Sequence, residues 1–264
     1  MDILNKILRQ KKEEIKTLKN KFSLKSFETM ELFHSENFSL INNIKSVKDI
    51  SIIAELKKQS PSKGVINREF NYQNIIGTYF NSKIAGVSIL TDKIFFGGNL
   101  NLLKEIAEFK KLPLLRKDFI TDIFQVYQSK AFGADVILLI CEALSKAQIN
   151  ELICSANEIG LEVLLELHSE DQINKIDFNL SRLVGINNRN LTDFSTDLNT
   201  TISISQLLPE DVLIVSESGI SKKEDISTIK RTNINAVLIG EFLMSSKDLK
   251  QDLMNLEKWC QIES

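Results

Sequence analysis

Apolar residues recur along this chain in two alternating rhythms. Short β-branched runs, in which side chains two apart share a face, each give way to a charged or glycine-containing turn and then to stretches with apolar residues three and four apart. The short runs fall at 52–57, 86–90, 112–117, 135–140, 162–168, 183–187, 212–217 and 236–240 and are predicted strands. Predicted helices lie between them, among them 74–81, 100–109, 123–132, 145–159, 222–230 and 247–258. Strand alternating with helix means parallel pairing through right-handed crossovers. Eight such units predict an α/β fold, a (β/α)8 TIM barrel, for which about 250 residues is the usual size. An open doubly wound sheet shares the alternation but usually needs about five or six strands.

The first fifty residues fall outside the repeat. Residues 2–21 read as a charged amphipathic helix and 26–42 as a second helical segment. No Pro- or Ser-rich linker follows them, so one domain is expected over 1–264, with 1–50 a helical extension packed on the barrel.

Composition narrows the function classes. With 33 basic and 35 acidic residues the formal charge is -2, and basic clusters such as 9–12 and 222–223 sit beside glutamates at helical spacing, as on a solvated helix surface. Nucleic acid is therefore not an expected partner. No apolar run is long enough for a membrane helix and the first residues are too charged for a signal peptide, so no membrane association and a cytoplasmic location are expected. Cys141, Cys154 and Cys260 form no CxxC pair, and His34 and His168 are the only histidines. Neither a metal site nor a disulfide framework is supported, and each thiol is expected to be free and mostly buried.

The polar residues of the predicted strands collect at their carboxyl ends: Lys57, Lys117, Glu166, Asn187, Glu217 and Gly240. Barrel enzymes keep their active sites on that face. In IAELKKQSPSKG the alternation puts Ile53, Glu55 and Lys57 on one side of a strand and Ile52, Ala54 and Leu56 on the other. An unpaired buried charge is costly, so the strand either opens into a polar cavity or pairs Glu55 with Lys57 and partners elsewhere. LPLLRKDFI places Lys117 after an apolar strand with Arg116 on the opposite face; a lysine near other cations and apolar walls would have its pKa lowered toward acid catalysis. LLELH puts Glu166 in the matching position, with His168 on the same face as a supporting hydrogen-bonder. GINNRN supplies Asn187 to orient a polar group and Arg189 to meet an anion. Gly219 in SESGI and Gly240 in IGEF follow the last two strands, where barrels bind phosphate through backbone N–H groups and helix N-termini.

The motifs IAELKKQSPSKG, ILTDKIFFGG, LPLLRKDFI, ADVILLI, LLELH, VGINNRNL, SESGI and LIGEFLM follow one another in an order and spacing that resembles the indole-3-glycerol phosphate synthase family along nearly the whole chain. The resemblance implies a single barrel with an N-terminal helical extension over the active-site mouth. It implies ring closure of 1-(2-carboxyphenylamino)-1-deoxyribulose 5-phosphate to indole-3-glycerol phosphate with loss of carbon dioxide and water, a step of tryptophan biosynthesis. No cofactor and no metal are implied, the partner is a small phosphorylated substrate, and a monomer is the expected state.

Carried onto this sequence, the resemblance makes Lys117 the general acid at the substrate carbonyl and Glu166 the base of the dehydration, with Lys57 near the substrate carboxylate. Glu55 and Asn187 position these groups, and Glu217, Arg189 and Ser60 belong to the same shell. Phe96 and Leu138 become walls for the anthranilate ring. Ser218, Gly219, Gly240 and Glu241 become the phosphate site, with Glu241 standing where other members have serine, so that its backbone alone is expected to help. The alternatives are another phosphate-binding barrel enzyme, such as a sugar isomerase or a Schiff-base aldolase, and a non-catalytic sugar-phosphate-binding barrel.

Overall fold

In the computed structural model, which describes residues 3–60, 64–66 and 70–261, eight parallel strands close into a barrel. They are β1 (Ser51–Leu56), β2 (Gly86–Leu90), β3 (Leu114–Lys117), β4 (Val136–Ile140), β5 (Glu162–Leu167), β6 (Leu183–Asn187), β7 (Leu213–Glu217) and β8 (Ala236–Ile239). Each pairs with its neighbours in sequence, and β8 closes on β1 with Ile52 opposite Val237. β3 starts two residues later than the pattern predicts. Pro113 has no N–H to give a ladder and only accepts, its carbonyl taking the Val87 N–H at 2.9 Å.

Alternation sorts the strand residues between two cores. Ile52, Ala54 and Leu56 join the outer layer beneath the helices, as do Ile137 and Leu139, whereas Ile53, Leu138 and Leu164 fill the barrel interior. Both faces are covered, so these strands read as nearly unbroken apolar runs. The exceptions are inward residues near the carboxyl ends, where the interior filling stops.

The helices are α1 (Ile3–Lys21), α2 (Leu24–Glu28), α3 (Leu40–Lys45), α4 (Tyr72–Phe80), α5 (Leu100–Ala107), α6 (Ile123–Ala131), α7 (Lys146–Glu158), α8 (Asn199–Ser205), α9 (Lys223–Ile229), α10 (Glu241–Met244) and α11 (Leu249–Cys260). Asn71, Asn99, Asp122, Ser145 and Asp248 start α4, α5, α6, α7 and α11 by accepting a backbone N–H, which satisfies a donor the helix itself cannot. After β5 the expected helix is instead a 3-10 turn, Glu170–Lys175. α8 was not legible in its Ser/Thr-rich sequence, and α10 is a single extra turn after β8.

The segment 26–42 is not one helix. It divides into α2, a 3-10 turn (Glu31–His34) and α3, because Ser39 takes an extended conformation and its side chain accepts the Asn42 N–H to begin a new helix. The extension also reaches both ends of the barrel rather than the mouth alone. At the amino-terminal end, Glu162 at the start of β5 accepts from Ser39 Oγ and from the Leu40 and Ile41 N–H groups, and Asn43 donates to the Ala85 carbonyl at 2.9 Å.

At the other end α1 departs from the expected solvated surface at one position. Lys11 is 3 % exposed, on the buried stripe of Leu4, Ile7 and Ile15, while Arg9 and Lys12 stay outside. Cys141 and Cys260 are buried, but Cys154 is exposed on α7, contrary to expectation. No helix among the described residues is long and apolar enough to cross a membrane.

Candidate active site

A cavity of about 540 Å³ opens at the carboxyl ends of the strands, a size suited to a small molecule. Glu55, Lys57, Phe96, Lys117, Leu138, Glu166, Asn187, Arg189, Ser218, Gly219, Gly240 and Glu241 all line it. Glu217 lies beneath, bonded to Lys117. Ser60 ends one strand of a two-residue antiparallel pair, Gln59–Ser60 with Gly64–Val65. Its side chain and residues 61–63 lie outside the described residues.

The floor is a cluster of three carboxylates and two lysines. Lys117 Nζ bonds Glu217 and lies 3.3 Å from Glu166, and Lys57 Nζ pairs with Glu55 at 2.7 Å. The expectation of a lowered Lys117 pKa is corrected by its neighbours. Burial works to lower it, but Glu217, Glu166 and Glu55 outweigh burial and hold the amine charged well above the ordinary lysine range. Arg116 points outward to Asp118 and Gln128, on the face opposite Lys117 as the alternation predicts.

The carboxylates divide between two environments. Burial acts to raise Glu166, yet Lys117, His168 and a hydrogen bond from Asn187 bring it below the usual range. Glu217 is pushed up to about 8, because burial and the charges of Glu166 and Glu55 exceed the pull of Lys117. Burial and its carboxylate neighbours thus draw Glu217 toward its protonated form, while the same carboxylates draw Lys117 toward its charged one.

Two glycines make room for these groups. A Cβ on Gly240 would collide with Glu55 Oε2, and one on Gly185, which faces inward on β6, would collide with Glu217 Oε1. Gly240 has an unremarkable φ of -118°, so space rather than backbone conformation calls for glycine there.

One side of the cavity is apolar. Phe96 packs against Phe119 with ring centroids 6.0 Å apart, beside Leu138, Ile140 and Leu90. Phe119 went unread in the sequence, although it follows Lys117 by only two residues. The loop that carries Phe96 is held by Asp92, whose Oδ1 accepts the N–H groups of Phe95 and Phe96.

Asp92 also joins a buried network that the sequence concealed. Lys11 reaches from α1 to Asp92 and Asp118, each at 2.8 Å, and Asp118 pairs with Arg116 at 3.0 Å. The signal was present in the spacing, since positions 4, 7, 11 and 15 form one helix stripe and a lysine on a buried stripe needs partners.

Across the cavity the turn after β7 carries Ser218 at φ 66° and Gly219 at φ 78°. A left-handed serine is strained, and Asn188 secures it by donating to the Ser218 and Glu217 carbonyls. The helix starts that follow differ in what they leave open. Asp225 already accepts the N–H groups of Ser221 and Lys222 at the start of α9, and the helix opened by Gly240 is only α10. Arg189 lies 3.5 Å from the Glu241 carboxylate. His168 sits behind Glu166, its Nε2 3.4 Å from Glu166 Oε1.

Among the described residues no group of three or more His, Cys, Asp or Glu side chains is arranged to hold a metal ion. The site offers a lysine held charged, one carboxylate shifted down and one shifted up at the base of a cavity with one apolar wall.

Comparison with known proteins agrees over nearly the full length. Residues 4–256 match the family model described as indole-3-glycerol phosphate synthase. Relatives with that name are 40 % identical over 258 residues in Alkaliphilus metalliredigens (96 % of this chain, 97 % of that one) and 38 % identical over 256 in Endomicrobium trichonymphae (97 % and 99 %). Among solved structures, 3-hexulose-6-phosphate synthase from Salmonella typhimurium superposes with a TM-score of 0.65 at 12 % identity, covering 80 % of this chain and 98 % of that one. KGPDC from Streptococcus mutans gives 0.61 at 10 %, covering 81 % and 98 %; likenesses so low in identity speak for the barrel alone. The full-length sequence match is what decides the family: the chain belongs to the indole-3-glycerol phosphate synthases.

Proposed function

We propose that the charged floor of this cavity carries out the family's reaction, the closure of 1-(2-carboxyphenylamino)-1-deoxyribulose 5-phosphate to indole-3-glycerol phosphate, with Lys117 as acid and Glu166 as base. The observation that carries the assignment of roles is Lys117 held between Glu166 and Glu217. A lysine kept charged is a poor nucleophile but a strong hydrogen-bond donor to an oxygen that gains negative charge.

The aryl carbon bearing the carboxylate attacks the ketone carbon, and Lys117 delivers a proton to the oxygen as the new bond forms. Lys57, tied to Glu55, faces the carboxylate; the carbon–carboxylate bond then breaks and its electron pair returns to the ring. Glu166 removes a proton from the methylene carbon next to nitrogen and passes it to the former ketone oxygen, which leaves as water. Asn187 orients Glu166 through its hydrogen bond. Phe96 and Leu138 hold the ring, and backbone N–H groups around Gly219 and Gly240 receive the phosphate, with Arg189 and Ser60 at its approach. Glu241 contributes through its backbone, its carboxylate facing Arg189. The 264 residues act as one catalytic unit, a cytoplasmic monomer with 1–50 as its extension.

The test is direct. Purified protein mixed with the substrate should generate indole absorbance and fluorescence, and absence of both would refute the reading. A Schiff-base aldolase would need a neutral lysine, which the three carboxylates oppose. Borohydride trapping with substrate should therefore leave no adduct on Lys117.

A further inference from the structure

His168 is a buried imidazole between two carboxylates. Its side chain is 7 % exposed, with Nε2 3.4 Å from Glu166 Oε1 and Nδ1 3.7 Å from Glu142 Oε2. Neither ring nitrogen has a hydrogen-bond partner, which is uncommon for a group so buried. Apo distances of this size are also those at which a proton path closes only when the site is working.

The ring stands between two cavities. Glu166 lines the mouth, and Glu142 and His168 line a second cavity of about 680 Å³ among the loops after β4, β5 and β6, which meets the first at Asn187, Arg189, Leu191 and Ser195. Glu142 itself is 35 % exposed. The 3-10 turn Glu170–Lys175 fixes both members: the Gln172 side chain accepts the backbone N–H of His168 at 2.8 Å, and Lys175 donates to the carbonyls of Cys141 and Leu144, on either side of Glu142. The charged groups around the imidazole and this second cavity are Glu166 from β5, Glu142 after β4, Asp171 and Lys175 after β5, and Arg189 and Asp197 after β6.

The proton balance of the reaction requires an entry route. The ketone oxygen leaves as water after gaining two protons, while only one is released, from the methylene carbon. Loss of the carboxylate as neutral carbon dioxide accounts for the difference, so each turnover takes one proton from solvent. Substrate bound over the charged floor would stand between Lys117 and the solvent at the mouth.

We propose that Glu142 and His168 form a positioning relay that carries this proton from solvent, through the second cavity, to Glu166; the proposal rests on the role given to Glu166 above. Glu142 takes a proton from water and passes it to Nδ1. The imidazolium so formed gives up its proton from Nε2 to Glu166 Oε1, and Glu166, 3.3 Å from Lys117, returns it to the amine that was spent. A ring flip or water exchange restores the starting tautomer.

The experiment uses the full chain carrying His168→Gln or Glu142→Gln, with the rate of the first turnover compared with the steady state by indole fluorescence. In Glu142→Gln the first turnover uses protons already on the cluster and should stay within about twofold of the parent, whereas in both variants kcat should fall roughly tenfold or more, KM staying unchanged. Added imidazole should restore part of the loss in His168→Gln, and the solvent isotope effect on kcat should grow. Because Glu142 is partly exposed, its variant gives the answer even if His168→Gln folds poorly. Parent-like kcat in Glu142→Gln, or an equal loss in both phases with no response to imidazole, would overturn the relay. Glu166→Gln separates the two readings: a normal first turnover there overturns Glu166 as base and the relay with it, whereas a stalled first turnover leaves the His168 result to stand alone.

Discussion

Lys11, on the first helix, sits 2.8 Å from Asp118, the residue just after Lys117 at the end of β3. The extension is thereby fastened to the strand that carries the acid. Removing one partner of a buried pair leaves an uncompensated charge, at a typical cost of about 3–5 kcal/mol. Lys11→Met should lose stability on that scale in urea unfolding, and KM should rise because Asp92, its other partner, holds the loop of Phe96. Burial pulls the Asp118 pKa up, but Arg116 and Lys11 hold it well below the usual carboxylate range. The stability it contributes is present above the unfolded value of about 3.9 and is lost as pH falls through the lower folded value. Stability of Lys11→Met should fall less steeply in acid than that of the parent.

Gly240→Ala tests the room left for Glu55. The backbone there accepts alanine, so the fold should persist while Glu55 and the Lys57 it anchors are displaced. Misplacement by an ångström typically costs about a hundredfold in rate. Steady-state kinetics should show that loss in kcat/KM with an unchanged unfolding midpoint; parent-like kinetics would mean that Glu55 is not needed where it lies.

Glu217 makes a pH prediction with a definite sign. Its carboxyl is raised to about 8, so the folded chain binds more protons than the unfolded one between about 4.5 and about 8. The stability tied to this group is fully present below that window and is lost as pH rises through it. Glu217→Gln stays neutral throughout, so urea unfolding across the window should show a shallower decline. The same variant should lose an ionisation near 8 from the pH profile of kcat.

The phosphate site is tested at Gly219. Its φ of 78° strains any side chain, and a Cβ there would crowd Thr196 at 3.2 Å. Inorganic phosphate should compete with substrate in the parent, and Gly219→Val should raise KM by roughly tenfold and weaken that competition. An unchanged KM in a folded variant would place the phosphate elsewhere.

Period-two and period-3.6 patterning made the barrel legible, since inward and outward residues of β1 and β4 separate as their alternation requires. The strand-end polar residues were legible for the same reason: a charge that closes an apolar run has to face something polar. What stayed hidden depends on contacts distant in sequence. Lys11 reads as one more surface lysine until its stripe meets Asp92 and Asp118. The charge state of Lys117 followed from three carboxylates on three other strands, which no local window contains. Gly240 was read for its backbone, and its space-making role emerged only with Glu55 against it. α8 was missed because Ser and Thr disguise a short helix whose Thr201 is fastened by Asn188.

The division of labour between Lys117 and Glu166 is the central claim, and a single-turnover experiment with a carboxyl-labelled substrate addresses it most directly. Rapid quench reports release of labelled carbon dioxide, and stopped-flow fluorescence reports the indole product. Lys117→Met should lose both signals together, by roughly a hundred- to ten-thousandfold as befits a positioned general acid. Glu166→Gln keeps its shape but cannot take the methylene proton, so carbon dioxide should appear first and indole only after a lag. Equal slowing of both signals in Glu166→Gln, with no lag between them, would contradict the account and make Lys57 the competing candidate for the early acid.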